Sequence, residues 1–600
     1  MKAFWKWFAG ILIIIVIAAF CGLWYLSNHW KPLLSEKLDE TVTKSTDSLY
    51  RIAYDKINLN VLSGNASLIN FKLIPDTNVY KRLKKIGTAP DNIYDISVAS
   101  LDIKNFHPRR LLTGMRLNID EIIIDRPTIA IYNEYQGRPD TAKLKDSRNI
   151  YQRISSILNE ISIGAIKFEG IAFTFIKKSK NVEKKTVIKN VDLVITDVLI
   201  DSASQYDSTR FFNTRDIALH FNQYRYNAPD SIYYVSFKDL SLSTGHRSLT
   251  ITGLKYEPRY SKAEVYKRIN QANTLVSLAF DTIRLEQIDL LKFMQQQKIR
   301  AAKMLIDSGA VNASNNLKYP KKAARSKIGQ SPHQQFLKLK ASIKIDTLEL
   351  KRVDVSYAEI GKTTPNEGKI TFNRITGAFY NVTNDSLALA GNNIMRADLL
   401  TYVMDKGRLN LSFAFNMTDP EGGFSYKGSL GPTDGRVFNR IVKPLLPAEI
   451  KSANLVSLRF DIKANDRRNW GIVEMKYRNL KINIFERKAD GTQQQKSFMS
   501  ALANTFVIND SNPDANGKYH IGHVDFVRPP EFPFFKTMWK SLLQGIKESV
   551  GVSKEREAKL TKAAQNAGTG VKKVNGFFKS LFGKKHQQDS LNNKVKINHE

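Results

Sequence analysis

One segment of this chain is written twice. IGAIKFEGIAFTF, beginning at Ile163, aligns without gaps on IDTLELKRVDVSY, beginning at Ile345. The same displacement of 182 residues carries RLNIDEIIID at Arg116 onto KIRAAKMLID at Lys298. VYKRL at Val79 returns as VYKRI at Val265, and Gly64 and Leu68 match Gly245 and Leu249 with small insertions between. Separate segments that agree on one displacement indicate an internal duplication. A chain of 600 residues is too long for one core in any case. Within each copy the dominant period is two: Ile57-Asn-Leu59-Asn-Val61, Ile161-Ser-Ile163, Ile343-Lys-Ile345 and Leu348-Glu-Leu350 alternate apolar with polar. That alternation describes strands with one apolar and one polar face. Helical periodicity is confined to stretches near Asn149–Asn159, Ser261–Ala272 and Gln287–Lys303, and to a longer one from Phe534. The polar, basic stretch Asn315–Gln335 reads as an exposed loop between strands.

The N-terminus sets the compartment. Lys2 and Lys6 precede 20 uncharged residues, Trp7 to Leu26, centred on ILIIIVIAAF. A bilayer core takes about 20 residues of helix. A cleaved signal peptide is the competing reading, but its apolar region is normally about 7–15 residues, with small residues before the cut. Phe20, ahead of Cys21, does not suit lipoprotein processing either. The expectation is a single-pass anchor with its lysine-bearing N-terminus cytoplasmic and the bulk of the chain beyond the membrane. The formal charge of +34 calls for anionic company. With the bulk outside the cytoplasm, that company is expected to be a lipid surface and not nucleic acid.

Other chemistry is scarce. One cysteine excludes an intrachain disulfide framework and cysteine-based metal sites. His520-Ile-Gly-His523 spells a phosphate-holding motif of nucleotidyl transferases, yet it sits in an alternating strand segment, YHIGHVDFV. Two histidines three apart on a strand point to opposite faces, which also disfavours a metal pair. No nucleophile-elbow Gly-x-Ser-x-Gly occurs. No cofactor, metal or catalytic residue is expected, and the sites are expected to be surfaces.

The segment LYRIAYDKINLNVLSGNASLINFKLIPD (Leu49–Asp76) leads into VASLDIKNFHPRRLL and LNIDEIIIDRPTIAIY, ending at Tyr132. Behind a short tip and one anchor, this resembles the opening of AsmA-like envelope proteins, related to TamB-type, repeating β-groove, bridge-like lipid transfer proteins. FNRIVKPLLPAEIKSANLVSLRFDIKA (Phe438–Ala464), followed by MKYRNLKINIF, resembles the closing region of related large envelope proteins. The resemblance covers about half the chain. It implies anchorage in an inner membrane with the bulk periplasmic, an elongated curved sheet forming an apolar groove, and a role in lipid transport to, or maintenance of, an outer membrane.

The fold expected is therefore mainly β: a transmembrane helix, then an elongated, curved antiparallel β-groove array with few short helices, then a C-terminal amphipathic helical tail. Its segments are the anchor 1–30, a first β unit 31–230, a second, repeat-related unit 231–420, a closing β region 421–533 and the tail 534–600. Candidate groove-lining residues are Ile57, Leu59, Val61, Ile122, Ile124, Ile161, Ile163, Ile343 and Ile345. Residues 535–600 carry 14 basic and 5 acidic side chains. Two apolar clusters lie among or beside them: Phe534, Phe535, Trp539, Leu542 and Leu543, then Phe577, Phe578, Leu581 and Phe582 beside Lys584 and Lys585. Such faces suit an anionic membrane interface; a helix capping the array is the alternative for the first. The partners expected are phospholipids, an anionic membrane surface and an outer-membrane or other envelope protein. A non-enzymatic scaffold or assembly factor with a closed β core is the second reading of function. An enzyme acting on anionic envelope polymers is the third.

Overall fold

The computed structural model describes residues 42–552, except 44–45, 47, 61–62, 135–149, 156–157, 180–181, 228–231, 321–325, 363–365, 447, 485, 488–492 and 495–508. The expected anchor, Val61 and the whole cluster from Phe577 to Lys585 lie outside those residues. Among the described residues no helix is long and apolar enough to cross a membrane. The fold is mainly β, and 22 strands belong to one hydrogen-bonded sheet. The chain divides into two compact units. Among the described residues, one holds those up to Tyr226 with Ser236–Leu254 and Arg284–Gln297; the other holds Asn227–Val235, Lys255–Ile283 and those from Lys298 on.

In the first unit, Asn65–Pro75 pairs antiparallel with Tyr50–Ala53 and Lys56–Asn60 on one side and with Asn92–Phe106 on the other. Asn92–Phe106 is long enough to pair with both Arg116–Asp125 and Thr128–Glu134, which follow one another along it. Those two then pair in parallel with Glu160–Ser179, which pairs antiparallel with Val182–Ile200. In the second unit, Lys298–Asn316 runs parallel to Ser342–Ile360. Antiparallel neighbours follow in chain order from Glu367–Thr383 through Ala448–Ala464 and Arg468–Ile484 to Ile521–Val527.

The sheet is thus mixed, where an antiparallel one was expected. Alternation reveals faces but not direction. Direction follows from the connection, and a parallel neighbour needs a long crossover in place of a tight hairpin. The stretch between Asn316 and Ser342 is such a crossover. It contains a helix, Pro332–Leu337, whose Ser331 and Gln334 form a capping box, so the expected exposed loop is partly a helix with buried residues.

The duplication holds at the level of backbone register. Arg116 faces Glu160 as Lys298 faces Ser342, and Ile124 faces Phe168 as Ile306 faces Leu350. Every one of these positions is displaced by 182 residues. The bulges repeat too: register slips between Phe168, Ile171 and Phe173, and between Leu350, Val353 and Val355. Helix Pro108–Gly114 ends on Met115 at φ 52°, and helix Leu290–Gln296 ends on Gln297 at φ 56°. A left-handed residue there satisfies the last carbonyls of each helix and turns the chain into its strand. Helicity expected over Gln287–Lys303 therefore stops at Gln296, because Lys298 already sits in the parallel pair. The helices expected elsewhere are found as Ile150–Ile154, Lys262–Ile269 and Phe534–Ser549.

Helix Phe534–Ser549 packs on strands Ile521–Val527 and Arg468–Ile484 through small side chains. Thr537, Ser541, Gly545 and Ser549 are its buried stripe, at intervals of four residues. The Gly545 carbonyl lies where a Cβ on Gly522 would stand, and Val473 and Val524 crowd Gly545 itself. Gln544 seals the strand edge: its side chain accepts from Asp525 N (3.2 Å) and donates to Asp525 O (3.1 Å). Gly522→Val is expected to destabilise the second unit by about 1–3 kcal/mol through overpacking. Denaturant unfolding with wild-type midpoint would contradict this close approach.

Candidate functional site

A strict period of two would put Ile161 and Ile163 on the opposite face from Ile166 and Phe168. All four are nevertheless buried in one core, with Leu117, Ile119, Ile122 and Ile124 from the parallel neighbour. The alternation therefore slips in both strands at once, around Asp120 and Gly164, where a Gly164 side chain would strike the Asp120 carbonyl. Short elements cover this core, with Leu111 and Ile154 among its members.

The consequence for the expected groove residues is direct. Ile122, Ile124, Ile161 and Ile163 are 1%, 5%, 3% and 4% exposed, a packed interior and not a free face. Leu59 packs at the margin of the same core, and Ile57 is partly exposed on the neighbouring Lys56–Asn60 pairing. In the second unit Ile345 is buried and Ile343 packs beside it, in a cluster that also takes Phe415 and Phe534.

Partly exposed apolar side chains concentrate elsewhere. In the first unit, Leu240, Leu242, Leu249, Ile251 and Leu254 are each partly exposed and belong to none of the buried clusters. Nearby, Phe221, Tyr224 and Phe237 hold their rings 5.1–5.5 Å apart, with Phe221 and Phe237 edge to face. In the second unit, Val276, Leu278 and Phe280 are likewise partly exposed and outside its clusters. These positions, which the sequence alone did not single out, follow the same strand alternation as the buried ones. What distinguishes them is that they stay partly exposed and join none of the buried clusters of the described residues.

Helix Phe534–Ser549 splits its expected interface residues. Phe534 is 7% exposed and belongs to the cluster of Ile345 and Phe415, Leu542 packs partly on the separate cluster of Val473 and Val524, and Leu543 is partly exposed. Phe535 and Trp539, at 72% and 46%, face outward. Beside them Lys540 is held down to about 8, first by burial and then by its neighbour Lys536, while Glu359 opposes the shift. Lys536 lies 3.9 Å over the Phe532 ring.

Two buried polar groups support this region. Asp466 and Arg528 form an ion pair at 3.1 Å with side chains 6% and 3% exposed. Asp466 also accepts from Gly329 N and Gln334 Nε2, and Arg528 donates to the carbonyls of Lys327 and Phe532. His333 is 2% exposed between the rings of Phe415, Phe424 and Phe534, and neither ring nitrogen closes a hydrogen bond. Burial lowers its pKa, while the Gly422 backbone and the carboxylates of Asp466 and Asp419 act weakly in the other direction. The polar composition of Asn315–Gln335 concealed all of this.

A histidine whose folded pKa is depressed favours folding in its neutral form. Its contribution is complete above the unfolded value of about 6.5 and is lost as pH falls below it. Stability is therefore expected to drop between pH 7 and 5, with a smaller drop in His333→Phe. Equal pH profiles for the two proteins, measured by denaturant midpoints, would remove His333 as the cause.

The remaining motif residues separate. His520 bonds Asp514 at 2.8 Å, whereas His523 is exposed beside Glu548. Among the described residues no group of three or more His, Cys, Asp or Glu side chains is placed to hold a metal ion. The fold and these surfaces define a mainly β protein with a duplicated strand unit. Comparison with protein-family models and with curated protein sequences gives no match to this chain.

Proposed function

We propose that this protein is a membrane-anchored envelope protein whose sheet holds phospholipid acyl chains along an open apolar face, and that it contributes to lipid transport to, or maintenance of, an outer membrane. The observation that carries this reading is the set of partly exposed apolar strand residues, Leu240, Leu242, Leu249, Ile251 and Leu254, that join none of the buried clusters. Apolar strand side chains that reach the surface together suit an apolar partner. The resemblance to AsmA-like proteins supplies the identity of that partner and, with the apolar segment Trp7–Leu26, the inner-membrane anchorage and periplasmic location. The mechanism is passive: acyl chains lie against alternate apolar side chains and headgroups stay in water. No covalent step is needed. The exposed Phe535 and Trp539 beside the exposed Lys536 form a face suited to an anionic membrane interface.

The scaffold reading keeps one observation in its favour, the closed core around Ile122 and Ile163. Native mass spectrometry of the full chain released from detergent separates the two. Several phospholipids per chain are expected, lost in Leu249→Asp/Ile251→Asp while that protein keeps its wild-type circular dichroism and unfolding midpoint. A lipid-free wild-type chain, or lipid retained by the folded double variant, would sink the groove reading and leave the scaffold.

A further inference from the structure

A polar cavity of about 460 Å³ opens in the second unit between strands Ser342–Ile360 and Glu367–Thr383 and helix Asn439–Leu445. It is lined by Asp354, Lys369, Thr371, Asn373, Arg374, Asp405 and Arg440. Both carboxylates meet Arg374. Asp354 accepts from the Arg374 backbone N–H at 2.7 Å, and Asp405 pairs with the Arg374 guanidinium at 2.8 Å. That guanidinium is fixed further by lying 4.5 Å over the Tyr402 ring. Thr371 Oγ1 donates to Asn373 Oδ1 at 2.8 Å, which turns the amide so that Nδ2 remains a donor. Lys369 and Arg440 have no ion-pair or hydrogen-bond partner for their side chains among the described residues. The lining therefore carries three cations, Lys369, Arg374 and Arg440, against the two carboxylates, and Asn373 adds an amide donor.

The duplication supplies an internal control. The same bulge is built in the first unit, where Ile171 faces Val191 and Phe173 faces Ile188, as Val353 faces Ile375 and Val355 faces Phe372. By that correspondence Asp354 replaces Ala172, Thr371 replaces Val187 and Arg374 replaces Asn190. Arg374 and Asn190 adopt the same left-handed backbone, at φ 53° and 58°. The fold thus makes this bend without an Asp354–Arg374 pair or a threonine, while Lys369 keeps a basic counterpart in Lys185 and Asn373 replaces Lys189.

We propose that this cavity binds a phosphoryl group, through Lys369, Arg440 and Asn373 Nδ2, with Arg374 held in place by Asp405 and Tyr402. A lysine and a guanidinium that line one cavity can give a phosphate oxyanion charge-assisted donors. The volume leaves room for a glycerol-sized substituent. The site does not depend on the acyl-chain face proposed above. Its phosphoryl group belongs either to a free phosphomonoester or to a lipid headgroup.

The test is calorimetric titration of the full chain in detergent with glycerol 3-phosphate. Saturable binding is expected, weakened at least tenfold in Lys369→Gln/Arg440→Gln. It is expected to be unchanged in Lys406→Gln/Arg408→Gln, which removes the same charge from exposed positions outside the cavity. Absence of saturable binding to wild type would overturn the proposal, as would equal weakening in both variants, which would mean general electrostatic attraction. A short-chain phosphatidylglycerol, kept below its micelle concentration, assigns the source. Binding tighter than that of glycerol 3-phosphate identifies a headgroup site, and equal or weaker binding identifies a phosphomonoester site.

Discussion

Ile124→Lys is expected to unfold the first unit, at a cost of at least about 4 kcal/mol, because an ammonium would enter a packed apolar interior with no partner. Ile124 is 5% exposed and faces Phe168, itself 3% exposed, in the parallel pair. The same holds for Ile163, which faces Ile119 at comparable burial. Denaturant unfolding followed by circular dichroism reads the result: a lost or strongly lowered first transition for either variant. A folded Ile124→Lys protein that has lost only bound lipid would instead make this face the lipid track, and would contradict the packing of its core.

Arg528→Ala is expected to cost about 3–5 kcal/mol in the second unit, because it strands the Asp466 carboxylate in a buried site. The effect should spread, since Arg528 also holds the carbonyls of Lys327 and Phe532 and so ties the Ser331–Leu337 region to the start of helix Phe534–Ser549. Removing both charges, as Asp466→Asn/Arg528→Met, is expected to recover a large part of the loss. The asparagine keeps an acceptor for Gly329 N or Gln334 Nε2 while the buried charge disappears. A single variant with wild-type stability would show that the pair contributes nothing net. Limited proteolysis after Phe532 would report whether the helix leaves the sheet before the unit unfolds.

Much of the architecture was legible in the sequence because a strand's side-chain period is a local property. The displacement of 182 between Ile163 and Ile345 reappears as identical parallel registers, identical bulges and matching helix ends. Local chemistry dictated those features, from the caps Asp289 and Ser331 to the left-handed ends at Met115 and Gln297. Strand direction, by contrast, was not legible. Alternation is the same in either sense, and only the crossover lengths before Glu160 and Ser342 admit parallel neighbours.

The candidate site divides in the same way. Local alternation pairs Leu249 with Ile251 as it pairs Ile161 with Ile163, but it does not foresee the slip at Gly164 that brings Ile166 and Phe168 into the same core. Tertiary structure alone decided which part of such a face is interior. Ile161 and Ile163 join a buried core with residues of neighbouring strands and short helices, while Leu249 and Ile251 stay partly exposed and join none of the buried clusters of the described residues. The same rule separates Phe534 from Phe535, adjacent residues of one helix whose side chains point to the core and away from it. Burial depends on what the rest of the chain brings to a surface, and that is not written in the period of any one segment.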